Sequence, residues 1–165
     1  LTLREPGGTP YYEAIREHIH FSNLERTALS DALTCAGGIA ENIVKTKKAL
    51  SQNTWVLSDR SFISNAVYQV SQGLDWATVQ AVNDLALNDF AYDIKILIDI
   101  PVEVAYQRLT SIGKKKDRWE TLGDAYFQTV RENYLKIAAQ ENMTIIDGTA
   151  SLEEVKQQIF EIAGI

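Results

Sequence analysis

A chain of 165 residues with 16 basic and 22 acidic side chains carries a net charge of -6, a length that suits one domain with a real core. The acidic balance disfavours bulk nucleic-acid binding, and no run approaches the roughly 20 apolar residues of a membrane span. The first residues lack the apolar core of a secretory signal, and one cysteine, Cys35, excludes an internal disulfide framework and suits a reducing cytoplasm.

The chain starts at Leu1 and its only methionine is Met143, so it is expected to be N-terminally incomplete. Leu1-Thr2-Leu3 reads as the end of a strand. Arg4-Glu5-Pro6-Gly7-Gly8-Thr9 follows directly. Two glycines permit close backbone approach to a ligand and an arginine can fork onto a phosphate, although an ordinary strand-to-helix turn has the same composition. Glu13 and Arg16 have the i,i+3 spacing of a helix-surface ion pair. His18 and His20, near a helix end, lack a third metal ligand at suitable spacing and read as surface or packing residues.

Leu29, Leu33, Ala36, Ala40, Ile43 and Val44 mark one face of a helix, and Cys35 on that helix reads as an inert small residue. Thr54 to Ser58 predicts a strand that stops at Asp59-Arg60. The carboxyl edge of a parallel sheet is where ligands bind, so this acid can hold Mg²⁺ through water and this arginine can meet phosphate charge. A strand-end salt bridge is the plainer alternative. Asn65 and Tyr68 share a face of the next helix, with Gln69 adjacent. Asp75 predicts the cap of a helix containing Val79, Val82, Leu85 and Ala86.

Ile94 to Ile100 predicts a further strand, and Pro101 suits the first turn of a helix running to Arg108. Gly113-Lys114-Lys115-Lys116-Asp117-Arg118-Trp119-Glu120 is the one concentrated basic segment, fit for a lid over phosphates or for a solvated turn. Tyr126 to Ala138 predicts a helix, Met143 to Asp147 a strand, and Ser151-Leu152-Glu153-Glu154 a capping box before the last helix. Strands and helices in alternation predict an α/β fold with a parallel sheet of buried strands.

Together these segments resemble thymidylate kinase, the P-loop family that phosphorylates dTMP. The resemblance rests on Arg4-Glu5-Pro6-Gly7-Gly8-Thr9 with Glu13 and Arg16, and on Asp59-Arg60 with Ser64-Asn65-Ala66 and Tyr68-Gln69. It rests also on Ile98-Asp99-Ile100-Pro101 with Glu103 and Arg108, and on Asp117-Arg118 with Glu120, all in order along nearly the whole chain. It implies a nucleoside monophosphate kinase-like parallel sheet flanked by helices, in one domain over 1–165 with a lid at about 109–120.

Arg4, Glu5 and Pro6 would then border the acceptor site. Asp59 would sit near Mg²⁺, Arg60 would hold the acceptor phosphate, and Asn65, Tyr68 and Gln69 would line the base and sugar. Arg108 and Arg118 would flank or belong to the lid and act with Lys114, Lys115 and Lys116 as catalytic positive charge, while Asp117, Trp119 and Glu120 would close near the nucleotide sugar. ATP would be the donor, and a cytoplasmic homodimer the expected form, with the Leu29 to Val44 face as a candidate interface.

Two features depart from the family pattern. The loop G-x-x-x-x-G-K-[ST] is absent, so the first, central strand is expected to be missing and the chain by itself to have little activity. A phenylalanine and an arginine four residues later, usual in the helix before the Asp59 strand, align with Thr34 and Gly38. Another nucleoside monophosphate as acceptor, or a non-catalytic nucleotide-binding relative, are the alternatives this leaves open.

Overall fold

The structure is a computed structural model describing residues 1–22, 24–113 and 117–165. The elements run β1 (Thr2–Arg4), α1 (Pro10–Phe21), α2 (Ala28–Leu50), β2 (Leu57–Asp59), α3 (Phe62–Ser71) and α4 (Trp76–Leu87). They continue with β3 (Ile96–Asp99), α5 (Val102–Ile112), α6 (Asp124–Gln140), β4 (Thr144–Asp147) and α7 (Leu152–Ala163). These fall into two compact units, Leu1–Ala91 with Asp117–Trp119, and Tyr92–Lys116 with Glu120–Ile165.

In the first unit β1 and β2 pair in parallel, Leu3 opposite Ser58 and Arg4 opposite Asp59. Helices α2, α3 and α4 pack on one another beside them. The buried stripe of α2 is Ala32, Ala36, Ile39, Ile43 and Ala49. It lies a step round the helix from the expected one: Ala36 and Ile43 are inside, whereas Leu29, Leu33 and Val44 are exposed. Small alanines let α3 and α4 approach closely, and the larger leucines are left to the outer face. Asp75 caps α4 as expected, accepting from the Thr78 amide (2.9 Å). Where α4 packs on α3, Asn83 is fully buried and receives a hydrogen bond from Asn65 (2.9 Å).

In the second unit β3 and β4 pair in parallel from Ile96 opposite Thr144 to Asp99 opposite Asp147. Helices α5 and α6 pack on each other, α6 on β3 and α7 on β4. Arg131 on α6 forks onto Asp99 with two bonds of 2.8 Å. Pro101 stands at the N-cap of α5, one residue before the first turn expected for it. The Ser151–Glu154 capping box forms as predicted.

The strands are parallel and end within one residue of the expected positions, β2 starting three residues later than expected, but they are not buried throughout. Leu3 and Ile146 are enclosed, while Leu57, Ile98 and Ile145 are about half or more exposed. Each pairing has two strands among the described residues, so the side of the strand away from its helix stays open.

Gly148 closes the β4 turn with its amide on the Asp99 carbonyl (2.8 Å). A Cβ there would stand 2.5 Å from Ile100 Cγ2 and 3.1 Å from the Asp99 carbonyl oxygen. Gly148→Ala is therefore expected to cost about 1–3 kcal/mol by overpacking, read as a lower urea midpoint with an unchanged slope.

Candidate functional site

The first unit holds a cleft open to solvent. Five short pieces of chain build it: the turn after β1, the last turn of α1, the middle of α2, residues 60–69 from the end of β2 into α3, and Asp117 with Trp119.

The turn after β1 brings Glu5 and Pro6. Glu5 is 3% exposed, its amide donates to the Asp59 carbonyl (2.9 Å), and its Oε1 accepts from Asn42 Nδ2 (2.8 Å). Its Oε2 is buried without a hydrogen-bond partner among the described residues. Burial pushes this carboxyl from the ordinary 4.5 up to about 7, against the opposing pull of the Asn42 bond. Gly8 needs its glycine, since it has φ +81° and a Cβ would meet Asn42 Oδ1 at 2.4 Å.

Arg4 does not line the cleft. It forks onto Glu13, whose carboxyl is held down at about 2 by that bond first and by the Gly8 amide second. Glu13 thus pairs with Arg4 and not with Arg16 as its spacing suggests. Arg16 instead caps the turn, donating to the Pro6 carbonyl (2.8 Å). Burial lowers its pKa, followed by the nearby positive charges of Arg4 and Arg60.

At the end of β2, Arg60 lines the cleft with φ +69°, a left-handed conformation costly for a non-glycine residue. Its guanidinium lies 5.4 Å from the Tyr68 ring centroid. Asp59 stands exposed beside it, in the field of Arg4 and Arg16, and does not line the cleft. From α3 come Ser64, Asn65, Tyr68 and Gln69. Asn65 Nδ2 donates to the Ala32 carbonyl (3.1 Å) and to Asn83, and Gln69 Oε1 accepts from Gln72 (2.7 Å).

Two features of the cleft escape the sequence reading. The α2 side chains that reach it are Cys35 and Ile39, four residues apart, and not Thr34 and Gly38. The Thr34 hydroxyl turns back to the Ser30 carbonyl (2.7 Å), and Gly38 lies under the Tyr12 ring, 3.0 Å from where its Cβ would be. Burial pushes the Cys35 thiol up to about 12, consistent with an apolar wall. The departure from the aromatic-plus-arginine pattern therefore stands, on residues one further along the helix. His20, expected to be a bland packing residue, lines the cleft and meets Asp117 at 2.9 Å. A lone histidine carries no local signal of a partner 97 residues away.

Of the remaining expected site residues, Trp119 is 6% exposed and packs edge-on to Tyr68, 5.4 Å between centroids. Arg118 is turned to the buried Asp31 (3.0 Å). Arg108 on α5 and Glu120 belong to the second unit. Lys114, Lys115 and Lys116 lie outside the described residues.

The motifs that converge here recur as a family signature. The sequence profile described as Thymidylate kinase matches residues 1–159. The chain belongs to the thymidylate kinase family. It is 35% identical over 165 residues to the thymidylate kinase of Fervidobacterium nodosum, covering 98% of this chain and 82% of that one. To the thymidylate kinase of Thermosipho africanus it is 36% identical, covering 98% and 81%. To that of Alcanivorax borkumensis it is 37% identical, covering 98% and 80%. Such membership carries the P-loop kinase α/β fold, of which both parallel strand pairs are parts. Among the described residues no helix is long and apolar enough to cross a membrane.

The position of Glu5 yields a pH signature. Its folded pKa lies above its unfolded one, so the native state binds the extra proton between about 4.5 and about 7. Stability falls as pH rises through that window and is level above it. In Glu5→Gln this loss is removed. Urea denaturation of both chains at pH 5 and pH 8 should show the variant gaining on the parent at the higher pH.

Proposed function

We propose that this chain serves ATP-dependent phosphorylation of dTMP to dTDP, with the first-unit cleft as the acceptor site. The observation that carries the reading is the convergence of Glu5, Pro6, Arg60, Asn65, Tyr68 and Gln69 on one cleft in a chain matched by the family over 1–159.

In this reading Arg60 holds the acceptor phosphate, with its backbone strain fixing the side chain before substrate arrives. Arg4 and Arg16 keep the β1 turn in place and add to the positive field that attracts a dianion. Asn65, Gln69 and Tyr68 take the nucleoside. An acceptor phosphate oxygen attacks the γ-phosphorus of ATP, and the bond to the β-phosphate oxygen breaks to release ADP. Such transfer needs alignment and positive charge and no covalent help, which Arg108 and the lid lysines Lys114, Lys115 and Lys116 supply in this reading.

Mg²⁺, when bound, neutralises the donor phosphates. Asp59 fits a water-mediated contact with it, since its carboxylate is exposed at the strand end and Mg²⁺ commonly uses one or two carboxylates besides phosphates. The finer reading of the fold is a single domain with a lid at about 109–120, whose central strand and phosphate loop lie outside this sequence. Support comes from Leu57 and Ile98, strand residues that are exposed here and that parallel α/β sheets bury. A cytoplasmic homodimer is the proposed form, supported by the exposed Leu29, Leu33 and Val44 on α2.

Calorimetric titration of the chain with dTMP, dUMP, dCMP and dAMP tests the acceptor assignment, dTMP being expected to bind most tightly. Arg60→Ala should weaken dTMP about 10–100-fold, as expected for a charged hydrogen bond. Binding of dTMP unaffected by that change would remove Arg60 from the site, and tighter binding of another monophosphate would replace dTMP.

A further inference from the structure

Three residues, Asp117 to Trp119, are bound to the acceptor unit far more heavily than a mobile cover requires. The Arg118 amide donates to the His20 carbonyl (2.9 Å), and His20 Nδ1 meets Asp117 Oδ2 at 2.9 Å. Asp117 Oδ1 accepts from the Trp119 amide (2.9 Å), closing the turn on itself. The Arg118 side chain runs inward, Nη1 at 3.0 Å from Asp31 Oδ2 and Nη2 donating to Gln72 Oε1 (3.3 Å).

Asp31 is the root of this attachment. Its side chain is 1% exposed on α2, where an unpaired carboxylate would be prohibitively costly. Arg26 Nε neutralises Oδ1 (2.8 Å) while Arg26 Nη2 donates to the Ile19 carbonyl (2.9 Å). Arg118 takes the other carboxylate oxygen. A substrate phosphate would have to draw Arg118 out of a buried ion pair to use it, so the guanidinium is occupied with structure and not with the moving phosphoryl group.

The beneficiary is Trp119. The Arg118 guanidinium lies 4.5 Å from its ring, and Tyr68 abuts it. Its indole lines the cleft on the side where α2 contributes only Cys35 and Ile39. Neither of these offers a π-face. The ring-bearing side chains that line the cleft are thus His20, Tyr68 and Trp119; an arginine stands over each of the two larger ones, Arg60 at 5.4 Å from Tyr68 and Arg118 at 4.5 Å from Trp119, and the indole is the largest π-face. We propose that Trp119 is the platform on which the acceptor base stacks, and that buried Asp31 positions it through Arg118. The proposal rests on the nucleotide-kinase reading above. It makes residues 117–119 a fixed wall of the acceptor site, Arg118 and Asp31 positioning residues, and Trp119 a determinant of base affinity.

The chain has three tryptophans, so Trp55→Phe with Trp76→Phe leaves Trp119 as the sole indole. Both replaced residues are exposed and stand outside the cleft. Titrated with dTMP, this chain should show quenching of Trp119 emission that saturates with the calorimetric isotherm. 2-Deoxyribose 5-phosphate, which lacks a base, should leave the emission unchanged. Trp119→Ala should weaken dTMP about tenfold, the scale of one base stacked on an aromatic ring, and Trp119→Phe should recover most of it. Arg118→Gln, which leaves Asp31 paired with Arg26, should red-shift the free emission and weaken dTMP in the same direction. Calorimetric binding of dTMP with silent Trp119 emission, or undiminished binding by Trp119→Ala, overturns the proposal alone. Absence of dTMP binding in the parent chain overturns it together with the kinase reading.

Discussion

The first unit is organised around one buried carboxylate. Asp31, in the first turn of α2, is 1% exposed and carries two guanidinium partners, since a buried carboxylate without a cation would be strongly destabilising. Satisfying it recruits Arg26 from the α1–α2 connection and Arg118 from a segment 87 positions along the chain. Those arginines in turn occupy the Ile19 carbonyl and the Gln72 amide oxygen, and Gln72 holds Gln69 on the cleft wall. The end of α1, the head of α2, the tail of α3 and the 117–119 segment are thereby fixed with respect to each other.

A second, smaller node holds the other side. Asn42 Nδ2 reaches Glu5 and the carbonyls of Arg4 and Gly7, gathering the turn after β1 onto α2. Lys45 adds a bond to the Gly8 carbonyl (2.6 Å). Polar groups in this unit are thus spent largely on one another. Among the buried side-chain atoms left without a hydrogen-bond partner among the described residues are Glu5 Oε2 and Asn65 Oδ1, both on residues that line the cleft, together with Asn42 Oδ1 and atoms of the Asp31 cluster behind it.

The sequence made much of this legible where the determinant is local. Asp75 and the Ser151–Glu154 box start helices by chemistry that acts within four residues, and the strands end at the acid or proline that stops them. Family motifs extended that reach, since Glu5, Arg60, Tyr68 and Trp119 converge on one cleft although they are scattered over 115 residues. What stayed hidden was long-range and specific. Nothing near His20 announces Asp117, and nothing near Asp31 announces Arg118. On α2 the leucine spacing points to the wrong face, because close packing on α3 and α4 selects the smaller alanines. Thr34 and Cys35 differ by one residue, about 100° of helix rotation, so a small change in how α2 is turned decides which of them faces the cleft.

The packing of Tyr12 on α2 has a consequence for how this sequence can change. A Cβ on Gly37 would stand 2.0 Å from the Tyr12 hydroxyl oxygen, and one on Gly38 would touch the same ring. Positions 12, 37 and 38 therefore form an interlock in which the effect of one residue depends on the others. Enlarging Gly37 forces the hydroxyl end of Tyr12 to move aside and enlarging Gly38 presses on its ring, so either step is easier once Tyr12 has shrunk, while a lineage that shrinks Tyr12 first opens a void. The order of substitutions is constrained even where the end points are equally fit, and the bulk carried by α1 sets which side chains α2 is free to acquire.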